Sequence, residues 1–450
     1  MPGYIEDRWF KKGPPDPATG RATRAKTARH GQGKRWRVAG IPGVRDRSFE
    51  KEAQAKAWLK ESATDATRGT FYDPRDGNML LDEYVRKHWW PNLRKAPGTK
   101  LSMQPRVFRH ILPHCGHLSL NRIGHDEIRA WLTRVEQDID VNTVRTTWRH
   151  FSSIMQAAHK AKRIPENPFR DEDLSPPAAP PSKAKAWSQE TVAAVRSELP
   201  ERYQILLQLA VGAGLRQGEC FGFSPDDIED DDEIAVTRQV VRVGGKLGFA
   251  PPKGNKVRTA PCPPELARAV KEYAAAHPPV EVTLPWVDPD RPSLDWEKRP
   301  TRTVRLLVTT PRTASLSGGA MNRSYFDERL WKPALAAAGL IPPPVVEYVQ
   351  PKTKGKQPWR RVSWQMPRED GFHVTRHTFA SIVLSEGETI TQLASWLGHS
   401  DPAFTLRTYV HFMPKSGKKA LAALGSWMVS PGGHSPQILP SGAPEENEAP

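Results

Sequence analysis

The 450-residue chain has only three cysteines, Cys115, Cys220 and Cys262, and they lie far apart with no C-x-x-C among them. That excludes a disulfide framework and a zinc ribbon, and it suits a reducing, cytoplasmic setting. Long apolar runs are also missing. The best one, Ile205 to Leu215, contains Gln208 and falls well short of the roughly 20 residues a membrane helix needs. The opening MPGYIEDRWFKKG has no apolar h-region, so neither secretion nor membrane attachment is expected. Internal repeats are absent. Acidic residues are in deficit: Asp+Glu 50 against Lys+Arg 66 leaves a formal charge of +16. Such a surplus favours a polyanionic partner, nucleic acid or an acidic membrane surface. Apolar residues are lean at 38%, but a chain of this length splits into several units that can each bury a core. Proline is the residue in excess, 44 of 450, where about 5% is usual, and its bunching points to linkers and a loose tail.

Four regions and a tail follow from composition and periodicity. Residues 8–47 carry twelve Lys/Arg against Asp16 and Asp46. Within them KRWRVAG and GVRDRSF read as two strands around an Ile-Pro-Gly turn, with a helix expected from about 50 to 62. A basic strand–strand–helix module over 1–66 is the reading, with a solvated basic arm as the alternative. Its Lys34, Arg35 and Arg37 are candidate DNA contacts. Residues 78–170 show helical spacing in four stretches and read as all-α. There Arg145 and Arg149 share a helix face and are further candidate DNA contacts. His110, His114, Cys115 and His117 fit no common zinc pattern, because Pro113 and Gly116 make the segment a turn. Residues 171–186, with SPPAAPPSKAKA, read as an extended linker. A larger domain spans 187–428, and 429–450 reads as a disordered tail. The acidic run DDIEDDDE at 226–233 reads as a solvated turn before a strand.

Five sites in the larger domain combine into one chemistry. Arg216, in GAGLRQGE, follows an apolar helix that ends in glycines. A turn of that kind can aim a guanidinium into a cleft, and guanidinium grips phosphate bidentately. Lys253, in PPKGNKVRTAP, sits beside a Gly-Asn turn, with Arg258 expected on the opposite arm of a hairpin. A lysine there can reach a phosphate oxygen or protonate a leaving alkoxide; Lys256 competes for the role, and Arg258 is a candidate DNA contact. His373 and Arg376, in HVTRHTFA, are three apart on one helix face, which suits proton handling beside a phosphate. His373 and His377 mimic a zinc helix by spacing, but Val374 stands where the required Glu would be. In LGHSDPAFTLRTYVH, His399 follows a helix end at Gly398, and Tyr409 lies ten residues beyond it. A tyrosine becomes a covalent nucleophile if its proton is removed and the attacked phosphate is neutralised. Two arginines, a lysine, two histidines and a tyrosine make a phosphoryl-transfer set that needs neither metal nor cofactor.

The strings GLRQGE, KGNKVRTAP, HVTRH, LGHS and TYVH, in this order over about 190–425, resemble the tyrosine recombinase (phage integrase) family. The likeness extends more weakly to the helical region and to the basic module. It implies a multidomain α+β fold: a small basic ββ-α arm-site module, an all-α core-binding domain, and a mainly α catalytic domain with a small antiparallel sheet. It implies that Arg216 and Arg376 clamp the scissile phosphate, that Lys253 protonates the departing 5′-hydroxyl, and that His373 does acid–base work near the tyrosine. His399 would donate a hydrogen bond to the phosphate, and Tyr409 would attack phosphorus to leave a 3′-phosphotyrosine. Glu219 would position Arg216. The implied partners are double-stranded DNA attachment sites and further copies of the chain, as a tetramer on DNA, with an excisionase and a DNA-bending protein as accessory candidates. The segment after Tyr409 could be exchanged between protomers.

Two departures from the family pattern stand out. Thr375 replaces the usual Leu before the second Arg, and the hydroxyl is expected to be tolerated. A long insert, 345–371, interleaves Lys352, Lys354, Lys356, Arg360 and Arg361 with Trp359 and Trp364. It reads as an added DNA-contacting hairpin, with Arg360 and Arg361 as contacts, or as a plain surface insertion. Two other functions share the same residues: a non-catalytic DNA-binding regulator of this fold, and a relaxing enzyme of the type IB topoisomerase kind. A complete set of chemical side chains argues against the first, and a separate basic module against the second.

Overall fold

A computed structural model of the chain describes residues 3–17, 19–179, 184–229, 232–310, 319–350, 357–399 and 401–413. The expected tail at 429–450, the exchange segment beyond 413, and Lys352, Lys354 and Lys356 of the insert lie outside the described residues. Two compact units are present, Met1–Pro181 with Pro289–Leu294, and Ser182–Asp288 with Asp295–Pro450.

The first unit begins with strands β1 (Tyr4–Asp7), β2 (Phe10–Pro15), β3 (Ala22–Lys26), β4 (Trp36–Ala39) and β5 (Arg47–Phe49), followed by helix α1 (Glu52–Arg68). The expected strand–strand–helix is β4, β5 and α1. However, β1 also pairs antiparallel with β4, and β2 pairs with β3 as a separate hairpin. These additions carried no readable signal, because FKKGPP and ATRAK are largely solvent-facing and lack apolar alternation. Val38, Ile41 and Ala55 form a small core between sheet and helix. α1 runs past the expected end and stops at Gly69, in a left-handed conformation. The helical region contains α2 (Pro97–His110), α3 (His125–Asp138) and α4 (Val141–Lys160) with short turns between. α4 starts where Asp140 accepts from the Asn142 and Thr143 amides, and it buries Val144, Trp148, Phe151, Met155 and Ala158 at alternating spacings of four and three.

The second unit is built around α6 (Glu201–Gly212), which follows α5 (Gln189–Glu198). α6 buries Ile205, Leu206, Leu207, Leu209 and Ala210, so it is apolar nearly all round and central. α7 (Gln217–Phe221) starts after four intervening residues. Strands β6 (Ile228–Glu229), β7 (Glu233–Val236) and β10 (Arg258–Pro261) form one small antiparallel sheet, while β8 (Gln239–Val243) and β9 (Lys246–Ala250) form a hairpin. This corrects one expectation: Lys253 and Arg258 are not on opposite arms of a hairpin. β9 pairs back to β8 across Gly244 and Gly245, β10 pairs with β7, and 251–257 is the turn joining the two sheets. The acidic run is not the simple solvated turn expected: Asp227 pairs with Arg238, Ile228–Glu229 forms β6 against β7, and Glu233 opens β7, while Asp230 and Asp231 lie outside the described residues. After α8 (Pro264–Ala276) come the ribbon β11 (Val280–Pro285)–β12 (Thr301–Leu306) and, within the insert, the ribbon β13 (Val345–Val349)–β14 (Trp359–Ser363). The chain then forms α9 (Val374–Ser385), α10 (Ile390–Leu397) and α11 (Pro402–Tyr409).

One glycine controls how α6 meets α9. Gly214 has φ +64°, and a Cβ built there would lie 2.6 Å from the Phe379 ring. Gly214→Ala is therefore expected to lower unfolding stability by about 2–4 kcal/mol, combining a left-handed backbone penalty with overpacking. A scanning-calorimetry trace within 0.5 kcal/mol of the unsubstituted protein would contradict this account.

Candidate active site

Three guanidiniums converge on the C-terminal end of α10. Arg258 Nε donates to the Trp396 carbonyl at 2.7 Å, and Arg216 Nη2 donates to the Leu397 carbonyl at 3.0 Å. Arg376 donates to the same Leu397 carbonyl, and through Nη1 to the Gly214 carbonyl at 2.7 Å. The last carbonyls of a helix have no intrahelical partner and carry its negative dipole end, so they are natural acceptors for cations. Arg216 is the residue that caps α7, and it is held from behind by Glu219. The Glu219 carboxylate accepts the Arg216 amide at 2.8 Å and its Nη1 at 3.0 Å. The same carboxylate takes a bidentate pair from Arg258, at 2.9 and 2.6 Å.

Glu219 is only 2% exposed. Burial alone would raise its carboxyl, but the hydrogen bonds and charge of Arg258, with Arg216, outweigh that and hold it at about 2. Arg376 is 1% exposed. Burial, then the neighbouring charges of Arg216 and Arg258, lower its affinity for its proton to about 9, so it remains charged at neutral pH. The site thus holds three cations against one anion and is primed for a second anion.

Arg376 lies in the first turns of α9, and His373 is the residue that caps that helix. Thr375 between them is buried, and its hydroxyl donates to the Phe372 carbonyl at 2.7 Å, which satisfies the group where the family has Leu. His399 is placed by the end of α10. Gly398 is left-handed, and the His399 amide reaches back to the Ala394 carbonyl at 2.9 Å, a helix-terminating pattern that only a residue free of Cβ strain permits easily. The His399 ring lies 2.8 Å from Thr405 Oγ1 through Nδ1, and Arg376 Nη2 approaches its Nε2 at 3.4 Å. A guanidinium can only donate, so Nε2 is the acceptor and the proton sits on Nδ1. Burial, then Arg376 and Arg216, push His399 down to about 3, so the ring is neutral.

Tyr409 ends α11 with its ring packed beside Phe379, Leu393 and Leu397. Its hydroxyl feels the charges of Arg376 and Arg216, yet burial outweighs them and pushes it up to about 12. The hydroxyl lies 2.8 Å from Nδ1 of His377. His377 therefore occupies a position that the sequence reading left to a discarded zinc pattern. The readable signal was its place one residue after Arg376 on the same helix. His373 stands next to it, with ring centroids 4.8 Å apart. His373 as a residue is exposed. Its ring is pushed well below the ordinary histidine range by desolvation and then by the charges of His377, Arg376, Arg216 and Lys253. Lys253 itself is exposed on the 251–257 turn, within electrostatic reach of His373. Arg216, Arg376, His373, His399 and Tyr409 are thus brought together with Glu219, and Lys253 stands at the margin.

No family profile matches the chain. A Mycobacterium tuberculosis protein named as the prophage phiRv2 integrase is 25% identical over 389 residues, covering 85% of this chain and 88% of that one. A Caldanaerobacter subterraneus protein named tyrosine recombinase XerC-like is 24% identical over 405 residues, covering 84% and 90%. The fold is also that of the Tn1549 transposon integrase, solved in complex with transposon right end DNA. That match has a TM-score of 0.57 at 15% identity and covers 78% of this chain and all of that one. Over most of its length the chain is thus similar to proteins named as integrases and tyrosine recombinases.

Outside the central site, the expected DNA contacts of this chain fall into two groups. Lys34, Arg149, Arg360 and Arg361 are exposed. The other four are engaged within the protein. Arg35 pairs with Asp7 and stacks over the Trp36 ring at 4.6 Å; Arg37 pairs with Asp46 and Glu6. Arg145 donates to the Pro177 carbonyl. Arg258, read from the sequence as facing DNA, turns inward to Glu219 and keeps a side chain only 6% exposed. The reason is geometric: pairing with β7 points alternate residues of β10 at the core, and Glu219 waits there as an acceptor. In the insert, every residue of β14 is exposed and β13 nearly so, leaving Tyr348, Trp359 and Val362 uncovered beside Arg360 and Arg361.

Proposed function

We propose that this chain is a site-specific DNA recombinase, an integrase that cleaves and rejoins DNA through a 3′-phosphotyrosine intermediate. The observation that carries this reading is the gathering of one phenol and two guanidiniums at the end of α10: Arg216 and Arg376 both donate to the Leu397 carbonyl, and Tyr409 packs in the same small core as Leu397 with its hydroxyl on His377, the residue after Arg376. In the proposed reaction Arg216 and Arg376 hold the non-bridging oxygens of the scissile phosphate, exchanging their carbonyl partners for the anion. Tyr409 Oη bonds to phosphorus, the bond to the 5′-oxygen breaks, and Lys253 supplies the proton to that oxygen. His399 donates to the same phosphate through Nε2, in the tautomer whose Nδ1 accepts from the Thr405 hydroxyl once the phosphate has drawn Arg376 away, and His373 takes part in proton handling. Glu219 positions Arg216. The bond energy is kept in the protein–DNA link, so rejoining to a new 5′-hydroxyl needs no metal or nucleotide cofactor. Because Tyr409 is 1% exposed, attack requires the groups that cover its hydroxyl to open as the phosphate enters.

Lys34 in the N-terminal module, Arg149 in the helical region, and Arg360 and Arg361 on the insert ribbon are proposed as backbone contacts to double-stranded DNA. Arg35, Arg37, Arg145 and Arg258 are held by partners within the protein and are proposed to contribute to DNA binding only through the local structure they fix. Assembly as a tetramer on DNA is proposed on the uncovered apolar side chains of Phe404, Leu406, Val410 and Met413 around the end of α11, which a second copy would cover. A cytoplasmic setting, an excisionase and a bending protein belong to the same proposal.

The test uses nicked duplexes tiled across the DNA flanking the coding region. Covalent adduct is captured under denaturing conditions, and the linked peptide is mapped. A DNA-linked peptide containing Tyr409, a free 5′-hydroxyl, and recombinant junctions between two different sites support this reading. Adduct without junctions points to a relaxing enzyme, and binding without adduct to a regulator. DNA binding itself is expected to fall by about 10³-fold or more between 50 and 200 mM salt if six or more phosphates are neutralised. A flat dependence in fluorescence-anisotropy titrations would contradict the phosphate contacts.

A further inference from the structure

The phenol of a nucleophilic tyrosine must lose its proton as its oxygen bonds to phosphorus, and the group that receives it must touch that oxygen. His377 Nδ1 lies 2.8 Å from Tyr409 Oη. Among the described residues no other group hydrogen-bonds this phenol. A neutral imidazole can accept through Nδ1 if its proton is on Nε2, and the phenol then donates along the line the proton must travel. His373, the histidine that the family resemblance assigns to this task, has its ring centroid 4.8 Å from that of His377, one helical turn earlier on α9.

We propose that His377, rather than His373, is the catalytic proton acceptor for Tyr409. This rests on the recombinase reading above and assigns one residue within it. Electrons and atoms balance in a single displacement. The Tyr409 Oη–P bond forms and the P–O5′ bond breaks, leaving its electron pair on O5′. The phenolic proton moves to His377 Nδ1, and O5′ takes a separate proton from Lys253. The groups around His377 set its affinity for the proton in the chain without DNA. His373 and Arg376 flank it on its own helix, and Tyr409 and His411 approach it from the end of α11. Desolvation, then Arg376 and His411, hold the imidazole down to about 4, while the phenol is held up to about 12. Proton transfer is therefore strongly uphill without DNA. A scissile phosphate brings negative charge to the site and raises the imidazole, so the nucleophile is activated only when its target is in place.

The experiment is a single-turnover cleavage assay on a nicked duplex carrying the chain's own attachment site, run from pH 5 to 9 with the full chain. Folding and DNA affinity are checked by circular dichroism and anisotropy. H377Q keeps an acceptor oxygen near the phenol but cannot hold a proton. It is expected to bind DNA normally and to cleave about 10²–10³-fold more slowly. Its rate should rise in proportion to hydroxide, without the levelling-off that the unsubstituted protein shows once its imidazole is unprotonated. H377A should be partly rescued by added imidazole. H373Q should cleave more slowly yet keep the original pH profile. Cleavage by H377Q at the native rate, a reduced rate with an unchanged pH profile, or imidazole rescue of the H373 variant alone would each overturn the assignment. If the unsubstituted chain forms no adduct on any duplex, it is the recombinase reading that fails.

Discussion

Tyr409→Phe will leave the chain folded and able to bind DNA, and it will yield no covalent protein–DNA adduct. The substitution removes one oxygen and nothing else. The ring stays among Phe379, Leu393 and Leu397, with Phe412 stacked at 6.2 Å. The lost contact is the hydrogen bond to His377 Nδ1, which contributes about 1 kcal/mol in a typical protein. The thermal transition should therefore move by a few degrees at most, while adduct on nicked duplexes falls below detection in a denaturing gel. Binding in the same buffer separates loss of chemistry from loss of fold. Adduct persisting in Tyr409→Phe would mean that another side chain attacks phosphorus.

Glu219→Gln will produce the largest loss of stability. The Glu219 carboxylate is the buried anion that Arg258 grips bidentately and Arg216 touches twice. Arg376 lies close enough that its own ionisation responds to Glu219. The amide keeps the shape and offers one acceptor, but it leaves the guanidiniums without a counter-charge. Breaking a buried pair in this way costs about 3–5 kcal/mol. The pH dependence has a defined sign. The Glu219 carboxyl sits at about 2 in the folded chain against an ordinary 4.5. Its contribution is complete above the ordinary value and disappears as pH falls through about 2. The stability gap between Glu219→Gln and the unsubstituted protein should be widest at neutral pH and close as the acid carboxyl forms. Calorimetric transitions at pH 7 and near pH 3 check this; a gap that does not narrow with acid would separate Glu219 from the arginine cluster. Cleavage should fall as well, because an unanchored Arg216 loses its fixed geometry toward the phosphate.

Much of the site was legible because its landmarks are local. GAGLRQGE carries its own instruction: an apolar helix must stop at glycine, and the arginine that follows caps the next helix. Gly398 ends α10 and places His399 by backbone geometry alone. Asp401, whose carboxylate accepts the Ala403 amide, starts the helix that ends at Tyr409. Helix starts and stops depend on a few adjacent residues, so the sequence states them directly. β2 and β3 were not legible, because basic, solvent-facing strands show no alternation to read.

The amino-acid sequence by itself determined which chemical groups are available, their order, and the turns and caps that present Arg216, Arg376, His399 and Tyr409. Only the tertiary structure decided that Arg258 faces inward, that Lys253 stands on a turn between two sheets, and that His377 meets the phenol. Each of these depends on partners distant in the chain: β10 on β7, Arg258 on Glu219, and α9 on the end of α11. Strand pairing and burial are set by the sum of many weak contacts across the unit, and no short stretch of residues contains that sum.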